Sequence, residues 1–361
     1  MLNTNEWVVD GNDVWFLATD SNIIFKGNRE ETNFEMFCNI GNIVQDTNCA
    51  FSMCKKWGDY LYCLPDRSNK IVRVNIKNKD VEYIEISGVD NYELGIFDAF
   101  KKETEIYMYS FRNEAVIRFS INDFSAVSVY CGGSDVFDDP VGSCMINEKL
   151  WFPINTKSSV GYFDINSEEF IFFTIENVNC VISYVFAIDE KIILADMEGK
   201  RIFIGKVETD CIFIEREFLV SPDPSKEIIS ELPPVDKMLC INEYVYVFFR
   251  IYPKILVFNY LDGTVCSSIV SRYLQNDNNV VVNKWDKILL HYMYCDCNNN
   301  IAIRLYHMKS IIIFNDILNI DYVVDYSTSL YRTLKLYRFV KEDEFFDIKS
   351  FLEALIMKGR D

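Results

Sequence analysis

Histidine is the scarcest of the chemically versatile residues here: His291 and His307 are the only two in 361 residues. That shortage leaves little room for a nucleophile, histidine and carboxylate arranged for acyl transfer, and no Gly-x-Ser-x-Gly motif occurs. Gly132-Gly133 stands without a following Lys-Ser or helix pattern, which excludes a phosphate-cradling loop. Long apolar runs are also missing. Residues 178–188 are too few to span a bilayer, and 244–258 are interrupted by Arg250, Pro253 and Lys254. The opening Met1-Leu2-Asn3-Thr4-Asn5-Glu6 lacks the basic and apolar regions of a secretory signal. Basic residues are outnumbered, 36 against 54 acidic ones, and the formal charge of −18 repels nucleic acid and anionic membranes. The expectation is an acidic, cytoplasmic protein with neither nucleic acid nor membrane as a partner.

What the sequence has in quantity is apolar and aromatic surface: half the residues are hydrophobic, with 28 Phe, 21 Tyr and 5 Trp. That composition supports a large core. Twelve cysteines are scattered through it, and Cys54, Cys63, Cys144 and Cys240 fall inside apolar runs where a thiol packs as a small hydrophobe. This usage fits a reducing compartment. Cys49/Cys54 and Cys295/Cys297 are near enough in sequence to bridge under oxidising conditions, but no structural disulfide is expected.

A pattern of four short strands recurs about every 45 residues between Glu6 and Phe314. Its signature is an apolar triplet in the second strand. The triplets are Val14-Trp15-Phe16, Leu61-Tyr62-Cys63, Ile106-Tyr107-Met108, Leu150-Trp151-Phe152, Ile192-Ile193-Leu194, Val245-Tyr246-Val247 and Ile288-Leu289-Leu290. Polar turns that suit tight hairpins precede them, among them Asp10-Gly11-Asn12-Asp13, Trp57-Gly58-Asp59 and Asp189-Glu190-Lys191. No window in this region shows the 3.6-residue apolar period of a crossover helix, which disfavours a parallel α/β sheet. Consecutive antiparallel meanders remain. Radial repetition accommodates any number of equal units and leaves few exposed edges. The expected fold is therefore all-β: a seven-bladed β-propeller of four-stranded antiparallel blades over residues 1–315.

The units 61–86, 106–129 and 150–175 resemble generic propeller repeats of the YVTN and NHL type. The Gly-Gly doublets of kelch repeats and the Trp-Asp endings of WD40 repeats are missing from most units. The resemblance implies the fold and no activity, because such repeats serve lyases, hydrolases, scaffolds and sensors alike.

Residues 316–361 form a C-terminal extension. Segments 320–326 and 330–340 read as strands that close the ring or lie across a blade edge. Farther on, Phe345, Ile348, Leu352, Leu355 and Ile356 fall at helical spacing, with Lys358-Gly359 closing a short amphipathic helix. Its apolar stripe suits docking on the propeller or recruitment of a partner.

In such a fold the turns between second and third strands share one face with the links between blades. The turns carry Asp66, Arg67, Lys70, Arg112, Asn113, Lys157, Lys200, Arg201, Arg250 and Lys254. From this set Arg67, Arg112, Lys157, Arg201, Arg250 and Lys254 are the ligand-binding candidates, because guanidinium forks match carboxylate, phosphate or sugar-acid oxygens. The links are acidic, with Asp135, Asp138, Asp139, Asp223, Glu227, Glu231 and Asp236, and the longest, 221–236, reads as a lid, a docking segment or a neutral insertion. His291, Cys295, Cys297 and His307 are the one metal candidate, at a spacing that matches no zinc signature, so neither metal nor cofactor is expected. Two functions remain open. One is a non-enzymatic binding or scaffold propeller that presents loops and its terminal helix to a protein partner. The other is a hydrolase or lyase acting on a carbohydrate or other polar small molecule in the central mouth, by carboxylate pairs among the links.

Overall fold

The computed structural model describes residues 7–325 except 20, 29–33, 42–49, 88, 90–92, 97, 111–112, 114, 131–141, 155–157, 221–234, 250–254, 268–289, 296–300, 306–309 and 315–319. Among the described residues the regular elements are 28 β-strands and no α-helix. In chain order they make seven antiparallel four-strand meanders, here units one to seven, over residues 7–39, 51–85, 100–130, 144–175, 182–219, 235–267 and 290–325. Units four and five join into one eight-stranded sheet where Thr174 pairs with Cys211 and Ile175 with Ile212 in parallel. The first strand of unit seven, Leu290–Cys295, lies beside the first strands of unit one, Trp7–Asp10, and unit six, Val235–Ile241, so the run of units turns back on itself.

The apolar triplets of the first six repeats lie in second strands: Asp13–Ala18, Tyr60–Pro65, Glu105–Ser110, Lys149–Ile154, Lys191–Asp196 and Tyr244–Phe249. In five of these every residue after the first is buried. A strand alternates its side chains between two faces, so continuous burial requires a neighbour on each face. The side-chain clusters supply those neighbours. Leu61 and Cys63 pack with Trp15, Leu17 and Phe37 of unit one, whereas Tyr62 and Leu64 pack with Ile106, Met108 and Phe119 of unit three. Further clusters fill the spaces between units three and four, four and five, and five and six. The core is thus a series of wedges between units, and burying each large side chain such as Phe152 contributes about 1.5–3 kcal/mol.

In the first six units two-residue loops join first to second strands, and the leading loop residue is left-handed: Gly11 (φ 60), Gly58 (φ 60), Glu103 (φ 51), Asn147 (φ 48), Asp189 (φ 50) and Asn242 (φ 56). Hairpin turns of this length require positive φ there, which matches strand twist.

One expectation needs adjustment. The triplet Ile288-Leu289-Leu290 was placed in a second strand, but Leu290 opens the first strand of unit seven, and Ile301–Leu305 takes the second place. A run of apolar residues marks a buried strand without marking its rank in the meander. The segment expected as a closing strand does pair: Ile320–Asp325 lies against Ser310–Phe314 as the fourth strand of unit seven. The lid or docking segment proposed for 221–236 (save 235–236) and the helix over 345–356 lie outside the described residues.

Candidate active or binding site at the axis

The link from unit two to unit three carries an aspartate into apolar surroundings, in Leu94-Gly95-Ile96-Phe97-Asp98-Ala99. Backbone hydrogen bonds fasten this link to unit two: Leu94 and Gly95 N–H donate to Asp66 O at 2.7 and 3.0 Å, and Ile96 N–H donates to Pro65 O at 3.1 Å. Ser52 Oγ donates to Ile96 O, and Ser110 Oγ of unit three donates to Leu94 O at 2.6 Å. The link therefore has partners on both sides before it delivers Asp98. It also runs beside the turn between the second and third strands of unit two, so link and turn share one face.

Asp98 meets two lysines from other units. Its Oδ1 lies 3.0 Å from Lys55 Nζ, on the first strand of unit two (Phe51–Trp57), and its Oδ2 lies 2.5 Å from Lys237 Nζ, on the first strand of unit six. Units two and six are not neighbours in the ring, so a carboxylate between their lysines lies at the axis that the first strands surround. Lys56, next along the strand, instead pairs with Asp10 of unit one at 3.0 Å. The Ala99 N–H also donates to Asp98 Oδ1 at 2.9 Å. Burial alone would push the Asp98 carboxyl up, but the fields of Lys237 and Lys55 and the hydrogen bonds from both ammoniums hold it well below the usual carboxylate range.

A recurring backbone device aims these groups. In units two, five and six the first strand bulges at its second residue, between Phe51 and Met53, Ile182 and Tyr184, and Val235 and Lys237. A bulge adds an unpaired residue and redirects those after it. Met53, Tyr184 and Lys237 occupy the same place in the repeat, and two of those three point polar atoms into the cluster.

Tyr184 Oη accepts the Met238 N–H at 3.1 Å, and Cys144 Sγ accepts the Ala187 N–H at 3.1 Å. Both side chains lie within electrostatic reach of Lys237 and Asp98. Burial pushes the Cys144 thiol up to about 12 and the Tyr184 phenol up to about 12, so both are neutral at physiological pH. Iodoacetamide at about pH 8 is therefore expected to label Cys144 far more slowly than half-buried Cys180, by peptide mass spectrometry, until the chain is unfolded. Equal labelling rates in the folded protein would contradict this account.

The sequence-based candidates fare differently. Arg67 is exposed on the turn between the second and third strands of unit two. Arg201 opens a third strand and is held locally, with Nε 3.3 Å from buried Asp196, a guanidinium nitrogen 4.0 Å from Glu217, and its plane over Phe203. Asp196 also accepts the Lys200 and Arg201 N–H groups, so this pair organises a turn. Arg112, Lys157, Arg250 and Lys254 lie outside the described residues. His291 and Cys295 stand on the first strand of unit seven, while Cys297 and His307 are outside the described residues. Among the described residues no three His, Cys, Asp or Glu side chains gather closely enough to hold a metal ion. Cys38, Cys54, Cys63, Cys144, Cys180, Cys211 and Cys240 form no disulfide. No described helix is long and apolar enough to cross a membrane.

Sequence reasoning missed Asp98, Lys55 and Lys237. The available signal was one charged residue inside an otherwise apolar inner strand or link, in the runs Phe51-Ser52-Met53-Cys54-Lys55 and Ile96-Phe97-Asp98-Ala99.

Neither a protein-family model nor a curated protein matches this sequence. Solved structures do match in shape. Virginiamycin B lyase from Staphylococcus aureus aligns with a TM-score of 0.58 at 12% identity, over 84% of this chain and 92% of that one. Hsv2 from Kluyveromyces lactis aligns with a TM-score of 0.53 at 10% identity, over 90% of this chain and all of that one (100%). The computationally designed Ika8 protein aligns with a TM-score of 0.59 at 7% identity, over 89% of this chain and 86% of that one. The chain has a β-propeller fold. At these identities the likeness concerns the fold alone, and the propeller scaffold is common to a lyase and to proteins of other kinds.

Proposed function

We propose that this chain is a binding propeller of seven blades with YVTN/NHL-like repeats, working in the cytoplasm and engaging a protein partner through its outer strands. The observation that carries this reading is the distribution of exposed apolar side chains. Tyr83, Val127, Phe172, Phe213 and Val265 stand about half exposed on the outermost strands of five successive units, and Leu219 is 80% exposed at the end of the longest strand. A monomer that keeps a formal charge of −18 for solubility rarely leaves that much apolar surface on neighbouring strands unless another surface covers it. Buried thiols that form no disulfide, such as Cys63 and Cys144, fit a reducing compartment.

The test compares affinity capture from native lysate by the wild-type chain and by the double variant Phe213→Asp, Leu219→Asp, whose fold is checked by its melting transition. The expected result is a reproducible partner on the wild type that the folded variant loses. Recovery of no reproducible partner, or equal recovery by both, would sink the reading. The axial cluster favours a second reading, in which a polar small molecule, carbohydrates included, is bound or transformed at the mouth.

A further inference from the structure

We infer that the crevice between the outer strands of units three and four, Ser125–Tyr130 and Glu169–Ile175, docks a segment of a protein partner that carries aliphatic or aromatic side chains beside basic ones. This rests on the protein-partner reading and gives it a place and a chemistry. Side-chain alternation puts Val127 and Val129 on one wall of the crevice and Phe170 and Phe172 on the other. Val129 and Phe170 pack against the cluster that joins the two units, whereas Val127 and Phe172, on the same faces, are 49% and 50% exposed. The residues between them face away: Ala126 packs toward unit two, and Ile171 and Phe173 pack toward unit five.

Neighbouring crevices are closed by strand contacts. The outer strands of units four and five pair in parallel through Thr174–Cys211 and Ile175–Ile212. Ser87, just past the outer strand of unit two, bridges Val127 in parallel, and Ser128 Oγ donates to Ser87 O at 3.3 Å. No strand pairing joins the outer strands of units three and four among the described residues. Phe172 instead lies over Gly161, its register partner on the adjacent strand. A Cβ on Gly161 would stand 2.9 Å from Phe172 Cδ1 and 3.0 Å from Phe152 Cε2, so the missing side chain lets the ring settle against the sheet. Its centroid is 6.4 Å from that of Phe152, which is buried. One side of Phe172 is thus packed and held while the other meets water, and an apolar surface fixed in this way costs little ordering when a partner covers it.

Charge selects the occupant. At the end where both outer strands begin, Arg118 pairs with Glu168 and Lys102 pairs with Glu148 at 2.6 Å, so the cations that reach across from unit three are already matched. Asp123, in the turn before one outer strand, and Glu169, which opens the other, form no ion pair among the described residues. The excess at this end is acidic, in a chain whose formal charge is −18. A basic segment is attracted there and an acidic one repelled.

The test titrates the full chain into a fluorescein-labelled peptide, Arg-Arg-Leu-Ser-Phe-Arg, and follows its anisotropy. Leu and Phe, two residues apart, fall on one side of an extended segment. One control peptide replaces both by Ser, and another replaces each Arg by Glu. The first peptide is expected to bind at least about tenfold more tightly than either control. Phe172→Ser and Val127→Asp change half-exposed positions, and their folding is checked by melting transitions. Each should weaken binding by about tenfold or more, whereas Leu261→Ser, at an exposed apolar position on unit six, should bind as the wild type does. Absence of binding by the first peptide, a control that binds equally well, or equal binding by Phe172→Ser and wild type would each overturn the crevice as the docking site. The wider reading is tested separately. A lysate partner held by wild type and Phe172→Ser alike, but lost by the Phe213→Asp, Leu219→Asp variant, would leave a partner on the outer strands and remove it from this crevice.

Discussion

Asp98→Ala is expected to lower the stability of the folded chain by about 3–5 kcal/mol, the cost of removing one partner from a buried ion network. Both ammonium contacts of the carboxylate and the hydrogen bond from the Ala99 N–H would be lost together. The change should appear as a lower urea midpoint with little change in slope. The pH dependence gives a second measurement with a definite sign. The Asp98 carboxyl is held below its unfolded value of about 3.9, so its contribution is full above about pH 5 and declines as pH falls through the unfolded and then the folded value. Wild-type stability should therefore fall between about pH 5 and 3 more steeply than that of Asp98→Ala. Parallel curves for the two proteins would mean that Asp98 does not carry this charge network.

The same residue shows where a sequence stops being legible. Val14-Trp15-Phe16 and Leu61-Tyr62-Cys63 could be read as strands because packing between blades demands apolar atoms on both faces, and that demand is local and repeated. It is visible in any three consecutive letters. Gly11 and Gly58 could be read as turns for a similar reason, since a two-residue hairpin needs positive φ within a fixed distance of each triplet. Asp98, Lys55 and Lys237 meet only because a ring brings distant strands to one axis, and no local period encodes which lysine will face which aspartate. Charged turn residues such as Arg201 drew attention in the sequence because they stand out from their neighbours. In the folded chain Arg201 is occupied by Asp196, while lysines embedded in apolar strands supply the axial charge. Leu290 failed differently: its apolar context was read correctly as a strand, but burial does not record a strand's rank within its unit.

Gly142→Ala is expected to cost about 3 kcal/mol or more, because two independent penalties coincide there. Gly142 has a φ of 101°, a conformation that strains any residue with a Cβ, and an added Cβ would lie 2.0 Å from Tyr184 Cδ2 and 2.4 Å from Cγ. The ring has no easy retreat. Tyr184 is 2% exposed within the cluster between units five and six, and the Met238 N–H donates to its hydroxyl. The backbone cannot simply withdraw either, since Gly142 O accepts the Val185 N–H at 3.2 Å. The collision can be separated from the backbone strain by a double-mutant cycle with Tyr184→Ala. Removing the ring eliminates the clash and leaves the strain, so the double variant should be more stable than the sum of the single effects predicts, by about 1–3 kcal/mol. Additive effects would place the whole penalty in the backbone, and a Gly142→Ala midpoint equal to wild type would remove both. The consequence reaches the axis through one bond. Tyr184 receives the N–H of the residue next to Lys237, so a displaced ring moves the strand that aims this lysine at Asp98. Gly142→Ala should then disturb the contact between Lys237 and Asp98 as well.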